Sequence, residues 1–464
     1  MTHSASNWQR LFQEARVSFK LALPIALGQL ASMAMSVVDT LLAGRHGATT
    51  LAAVAVGSAI WSLALLICVG IMMAIPPTVA QLDGAGRRGE VGPVWRQALW
   101  LASIVGLLLL AFMRWSPQLL LWMHIAPEVQ TPAAEFLQAI SWGAPGLALF
   151  FATRYLSEGL SWSKPTLVFG VAALVLLLPV GYAVLFGFGP IPALGAAGLG
   201  YATAVVMWLQ FLTFAGYLHY SRHFADLGLL SRFEWPDWRV IGQLLVLGVP
   251  MGIAILMEGG LFVATALLIG QLGVVAVAAH QIALNVASAS FMIPLGVALA
   301  TTVRVGNAVG AGDVSGIRWA MKAGLLLVLI TQTFSALLLI FGGNLISHRY
   351  TDDAAIASLA ATLMVYAAIF QFPDGIQALS GGALRGLKDT KIPAIITVFA
   401  YWAVGLSAGL VLAKVFDLGA QGYWLGLTAG PSVAAVLLFL RFQRHRGNGP
   451  RIKPLQADWL ARLF

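Results

Sequence analysis

Twelve apolar stretches, each long enough to cross a lipid bilayer, follow one another along this chain, and no other feature constrains its fold as much. A hydrocarbon core about 30 Å thick is crossed by roughly 20 apolar residues in α-helix. Runs of that length lie at 21–43, 51–80, 94–115, 132–155, 166–187, 194–219, 240–270, 275–305, 317–341, 355–383, 392–414 and 420–440. Backbone polar groups find no water inside lipid, so such runs must be helices that satisfy their own hydrogen bonds. The composition agrees: 59% of the 464 residues are hydrophobic and 10% charged, whereas soluble domains carry about a quarter charged residues. A soluble globular protein and a disordered chain are excluded, as is a disulfide scaffold, because Cys68 is the one cysteine. The polar first 20 residues lead into an apolar run too long for a signal-peptide core, so no removable leader is expected.

An even number of spans places both termini on one side, and the basic residues say which. Of 27 Lys and Arg, 23 fall in segments on the side of the termini, while Arg45, Arg114, Arg349 and Lys414 fall on the other. Cytoplasmic segments are enriched in Lys and Arg, so both termini are expected in the cytoplasm of a bacterial inner membrane. The formal net charge of +9 is therefore read as topology, with the bilayer as partner and no nucleic acid.

The chain also repeats itself. Residues 21–53 align without a gap to 247–279, with ten of 33 positions identical, against roughly three for random segments of this composition. At the same offset Gly84-Ala85-Gly86 meets Gly310-Ala311-Gly312, and further along LGAAG at 194–198 pairs with LGAQG at 418–422 with the offset changed by two. Each half holds six spans, so the second re-enters the membrane with the orientation of the first. Such parallel repeats typify secondary transporters, whose site lies between the halves. The expected organisation is an N-lobe over 1–220, a cytoplasmic linker over 221–239, a C-lobe over 240–441 and a cytoplasmic tail over 442–464.

Three carboxylates fall inside apolar runs: Asp39 in span 1, Glu258 in span 7 and Asp374 in span 10. Each costs about 3 kcal/mol or more in hydrocarbon and is a functional candidate on that ground. Helical spacing groups Gln29, Ser32 and Ser36 with Asp39, and Gln371 and Gln377 with Asp374, where Pro373 and Gly375 flank the acid. Gln281, Asn285 and Ser288 form a stripe in span 8, and polar faces of this kind must line a cavity or another helix. Phe262, Phe291 and Met292 are candidates for an adaptable apolar wall. Glu135 and Glu158 sit near span ends, and Trp115, Trp122, Tyr401, Trp402, Tyr423 and Trp424 read as interfacial belts or packing. His280 fits a structural or a titrating role equally well. No phosphate-binding loop, HExxH or Cys/His cluster is present, so no cofactor and no enzymatic chemistry is expected. Ion-driven transport remains.

VDTLLAG at 38–44, PPTVAQLDGAGRRGE at 76–90, AAHQIALN at 278–285, RVGNAVGAGD at 304–313 and PDGIQALSGGALRGLKDT at 373–390 together resemble the multidrug and toxic compound extrusion (MATE) family, in its bacterial NorM-like branch. The resemblance implies an all-α membrane protein with twelve helices in two lobes forming a V. It also implies a monomer that exports organic cations and drugs in exchange for inward H+ or Na+. Asp39 then corresponds to the N-lobe acid, with Thr203 beside it, and Glu258 and Asp374 to the C-lobe acids that bind the coupling cation, as metal ligands only if that cation is Na+. Two departures remove oxygen donors: Phe370 stands where the family often has tyrosine, and Leu177 and Gly181 where it often has asparagines. A dehydrated Na+ needs several oxygens, whereas a proton needs one buried carboxylate, so the sequence leans toward H+. Two alternatives are a lipid-linked saccharide flippase of related fold, expected to need cavity Arg or Lys, and a cation channel, expected to need a filter or a ring from several subunits.

Overall fold

The computed structural model describes residues 2–447 apart from 124, 190, 191 and 230, so the part of the expected tail beyond 447 lies outside the described residues. Eleven described helices are long and apolar enough to span a membrane, and a bent pair makes the twelfth. They are α1 (Asn7–His46), α2 (Ala48–Gly84), α3 (Arg88–Trp122), α4 (Pro127–Ser141 with Ala144–Gly159), α5 (Lys164–Phe186) and α6 (Gly195–Tyr220). The second set is α7 (Trp238–Gly270), α8 (Val274–Gly310), α9 (Val314–Tyr350), α10 (Ala354–Gly386), α11 (Lys391–Lys414) and α12 (Gly419–His445). Every apolar run read from the sequence corresponds to one of them. Most helices continue past the run into polar sequence, where water can satisfy side chains but the backbone ladder persists.

Departures from straight helix have local causes. Next to Pro76 and Pro77, which donate no backbone hydrogen bond, α2 is interrupted at Met73 and Ala74. The 45° bend in α4 falls at Trp142 and Gly143, just before Pro145. A Cβ at Gly143 would lie 2.7 Å from Ala204 Cα, so α4 and α6 touch backbone to backbone at the bend. In α11 the ladder widens to a π-helical stretch over Phe399–Leu406.

Helices α1–α6 form one lobe and α7–α12 the other, joined where α1 meets α8 and α2 meets α7 and α8. Inside a bilayer there is no hydrophobic force between helices, so association depends on close packing at small residues. The seam shows this in reciprocal pairs separated by the repeat offset. A Cβ on Gly84 would lie 2.1 Å from Asn307 O, and one on Gly310 would lie 2.1 Å from Gln81 O. Likewise Gly70 abuts Gly252 (2.2 Å to its Cα), and Gly296 abuts Ala26. The turns after α2 and α8 match as well, with Gly86 at φ 71° and Gly312 at φ 69°, a left-handed conformation suited to glycine. These contacts run from mid-helix to the end that carries the termini and join the lobes there.

Polar clamps close the same end. Arg304 of α8 donates to both carboxylate oxygens of Glu14 in α1 at 2.7 and 2.9 Å, Asn307 donates to Ser161 Oγ at 3.0 Å, and Gln81 donates to Gly386 O at 2.9 Å. The segment between α6 and α7 lies across α3: Arg96 donates to Glu234 at 2.8 Å and Arg88 to Asp226 at 2.7 Å. These guanidiniums hold both carboxyls below their usual range.

The seam yields a test. With Cys68 replaced, cysteines at 161 and 307 should cross-link readily. Gly70→Leu, which drives a side chain into Gly252, should suppress the cross-link, whereas Gly89→Ala, with open space around it, should leave it intact.

Candidate functional site

The C-lobe carries its two acids on α7 and α10. Asp374 in α10 is buried at 3% exposure, and Glu258 in α7 is half-buried within electrostatic reach of it. Pro373 removes a backbone donor beside the acid, and Gly375 lets α10 press on α9, where a Cβ would lie 2.9 Å from Val328 Cγ1. A third group joins them: the Tyr401 hydroxyl, fully buried on the π-helical stretch of α11, neighbours Asp374. Asp374 Oδ1 and the Tyr401 hydroxyl have no hydrogen-bond partner among the described residues. Buried polar atoms are nearly always paired, so such a gap marks a place where a ligand can bind. The Trp402 indole donates to Met257 O at 3.0 Å and fixes α11 against α7 next to Glu258.

Not every polar neighbour faces this space. Gln371 is committed to packing: its Oε1 accepts from Ser290 Oγ at 2.9 Å, its Nε2 donates to Gln332 O at 3.2 Å, and Gln332 Nε2 returns a bond to Gln371 O at 3.0 Å. That exchange ties α10 to α8 and α9. Gln377 is buried with its Oε1 unpartnered. Gln281 and Asn285 are exposed on α8, the helix that meets α1 at the closed end, and Ser288 is half-buried. Phe262, half-buried, meets the ring of Phe370 edge-on at 6.0 Å, and Phe370 meets Trp424 at 6.1 Å, a tryptophan that also contacts His280. Phe291 and Met292 are half-buried on α8. His280 is 1% exposed, and neither ring nitrogen has a hydrogen-bond partner among the described residues.

In the N-lobe Asp39 is buried at 8% exposure and accepts one hydrogen bond, from Thr203 Oγ1 at 3.3 Å. The surroundings are apolar: Leu177, Ala202 and Val206 pack with Met35 and Val38, and a Cβ on Gly181 would lie 2.9 Å from Leu42 Cδ1. Ser32 and Ser36 are exposed, each returning its hydroxyl to its own helix backbone. Gln29 departs from the stripe, because its Oε1 accepts from Arg154 at 3.0 Å. Arg154 is 2% exposed and bonds Glu158 at 2.7 Å, and Glu158 accepts in turn from Thr166. This buried network holds α1, α4 and α5 together and accounts for Glu158 without a transport role.

Two residues escaped sequence reasoning. Tyr401 looked like belt or packing, and nothing in the sequence announced that a π-helical turn would aim it at Asp374. Arg385 was counted with a basic loop, yet it lies inside α10 with its Nε buried and unpartnered. Its position eleven residues after Asp374, three helical turns on the same face, was a signal available in the sequence. Among the described residues no three His, Cys, Asp or Glu side chains come together as a metal cluster.

The MatE family profile matches residues 24–183 and 250–411, two stretches that begin one repeat offset apart. The chain belongs to the MatE family. Relatives include a probable multidrug resistance protein NorM of Xanthomonas campestris, 48% identical over 95% of this chain and 96% of its own. The multidrug resistance protein MdtK of Yersinia enterocolitica is 40% identical over 94% of this chain and 96% of its own. Among solved structures, the eukaryotic MATE transporter AtDTX14 superposes with a TM-score of 0.85 at 19% identity, covering 95% of this chain and 99% of that one. A MOP superfamily transporter from Pyrococcus furiosus superposes at 0.83 with 19% identity, covering 94% and 96%. Both likenesses show the fold.

Exposure on α1 makes a direct prediction for this MatE protein. With Cys68 replaced, a cysteine at 32 or 36 should react with a membrane-impermeant thiol reagent, and one at 203 should not. Silence at 32 and 36 would place that face against lipid or helix.

Proposed function

We propose that this chain exports organic cations and drugs across a bacterial inner membrane in exchange for an inward-moving coupling cation, with both termini in the cytoplasm. The observation that carries the reading is the C-lobe site, where Glu258, Asp374 and Tyr401 converge just above the closed seam of a V. The relatives' names as multidrug resistance proteins support the substrate class. Under the orientation expected from the basic residues, the V opens to the outside.

The mechanism follows from charge. Two carboxylates sharing one low-dielectric cleft are the common attraction for both cations, so drug and coupling ion compete for the same negative charge. When the outward-facing site takes up the coupling ion, the negative charge of Glu258 and Asp374 is reduced and the drug loses its attraction. The lobes then rock about the glycine seam, the ion leaves toward the cytoplasm, and the restored negative charge draws a new drug. Phe262, Phe291 and Met292 would give an adaptable apolar wall that ranks substrates weakly. Asp39, with one hydrogen bond and apolar walls, is suited to a proton, which needs a single carboxylate. The coupling ion is read as H+ on this ground. The Tyr401 hydroxyl favours a second reading, because it restores to the C-lobe an oxygen donor missing at Phe370 and leaves Na+ a three-oxygen start there.

Two experiments test this. In cells, Glu258→Gln and Asp374→Asn should each lower efflux of a fluorescent cationic dye by at least about tenfold with expression unchanged, since each removes the charge that draws the cation; near-normal efflux in either would overturn the site. In everted vesicles at fixed pH, efflux should be indifferent to added Na+ and abolished when a protonophore collapses the proton gradient. A strict Na+ requirement would reverse the ion and leave antiport standing.

A further inference from the structure

Below the acids, the floor of the cleft holds a fixed positive charge. Arg385 lies on α10 three turns from Asp374 and on the same face, about 16 Å along the helix axis. Its next neighbour, Gly386, is pinned to the other lobe by the 2.9 Å bond from Gln81, and a Cβ there would meet Thr302 O at 2.7 Å, so this end of α10 is wedged into the seam. The guanidinium is half-buried, and its Nε is buried with no hydrogen-bond partner. The groups within its electrostatic reach are Glu258 of α7 and the Tyr155 hydroxyl of α4. Around Tyr155 stand Arg154, Glu158 and Cys68, of which Arg154 and Glu158 are paired with each other. Lys388 lies in a separate crevice with Thr78, Glu90 and Gln243. Among the described residues, Glu258 is the one carboxylate within electrostatic reach of Arg385.

We infer that Arg385 is the resident counter-charge of the C-lobe acid site, and that it sets how tightly Glu258 and Asp374 hold the coupling cation. Two ionised carboxylates alone would present two negative charges and retain any cation strongly. With the guanidinium beneath them the site carries a net charge near minus one, which suits one monovalent ion and lets it leave. A tethered cation also cannot be exchanged, so the acids stay partly balanced during the interval between drug and ion. The inference rests on the acid site proposed above.

The test uses purified full-length protein in liposomes, with dye transport measured against proton concentration at fixed Na+ and against Na+ at fixed pH. Removing a neighbouring positive charge strengthens cation binding by a carboxylate. Arg385→Gln should therefore reach half-maximal coupling at about tenfold lower concentration of the coupling ion, with slower turnover at saturation, and Arg385→Lys should restore the wild-type midpoint. A merely structural role would lower the amount of active protein without moving the midpoint. An unchanged midpoint in Arg385→Gln overturns the inference. Should that variant fail to fold, Arg385→Lys carries the test, and a midpoint displaced tenfold despite retained charge overturns it equally. Glu258→Gln separates the two claims: if it transports normally, the acid site itself is wrong; if it is inactive and Arg385→Gln leaves the midpoint in place, only the role of Arg385 is wrong.

Discussion

Contact between two lobes at bare glycine backbone is the constraint on which the rest of this structure depends. In lipid the lobes gain nothing by hiding apolar surface from each other, so what joins them is close van der Waals approach plus a few polar clamps. Gly70 against Gly252, Gly84 against Asn307 and Gly310 against Gln81 allow approach that no side chain would permit. Because these contacts occupy one half of the membrane, the other half is free to open. A seam made of discrete small-residue contacts is bistable in character: it is either closed or parted, which suits a rocking carrier.

The acid site gains its properties from lying directly above that seam. Glu258 comes from α7, which forms the seam with α2, and Asp374 from α10, whose lower end is held by Gln81 of the opposite lobe. The proposed ion site and the closure of the seam therefore involve the same two helices. The Arg304–Glu14 fork, bidentate and at the closed end, adds a polar connection that must break whenever the lobes part there. Asp39 sits elsewhere, inside the N-lobe among Leu177, Ala202 and Val206, and its single bond to Thr203 gives it a different chemistry from the C-lobe pair.

The repeat gives the two lobes similar backbones and dissimilar chemistry. Gly86 and Gly312 hold matching turns, and seam contacts recur at the repeat offset. Yet the carboxylates do not repeat: the position matching Asp39 is Thr265, and the one matching Glu258 is Ser32. The two lobes thus share a scaffold and differ in where they carry charge.

Span number, repeat and the three intramembrane acids were determined by the sequence alone, because the bilayer imposes a length on apolar runs and a penalty on buried charge that can be read one residue at a time. The pairing of Asp39 with Thr203 was legible only through likeness to the family. Tertiary structure decided what each polar residue touches. Helical spacing put Gln29 and Gln371 on cavity faces, but Arg154 claims the first and Gln332 with Ser290 the second, contacts across helices that no local period encodes. Tyr401 lies on the π-helical stretch of α11 near Asp374, and Arg385 ends α10 within electrostatic reach of Glu258, neighbours that helical period alone does not supply. Periodicity specifies a face of a helix, whereas the partner on that face is set by how the helices pack, and there the chain's chemistry was decided.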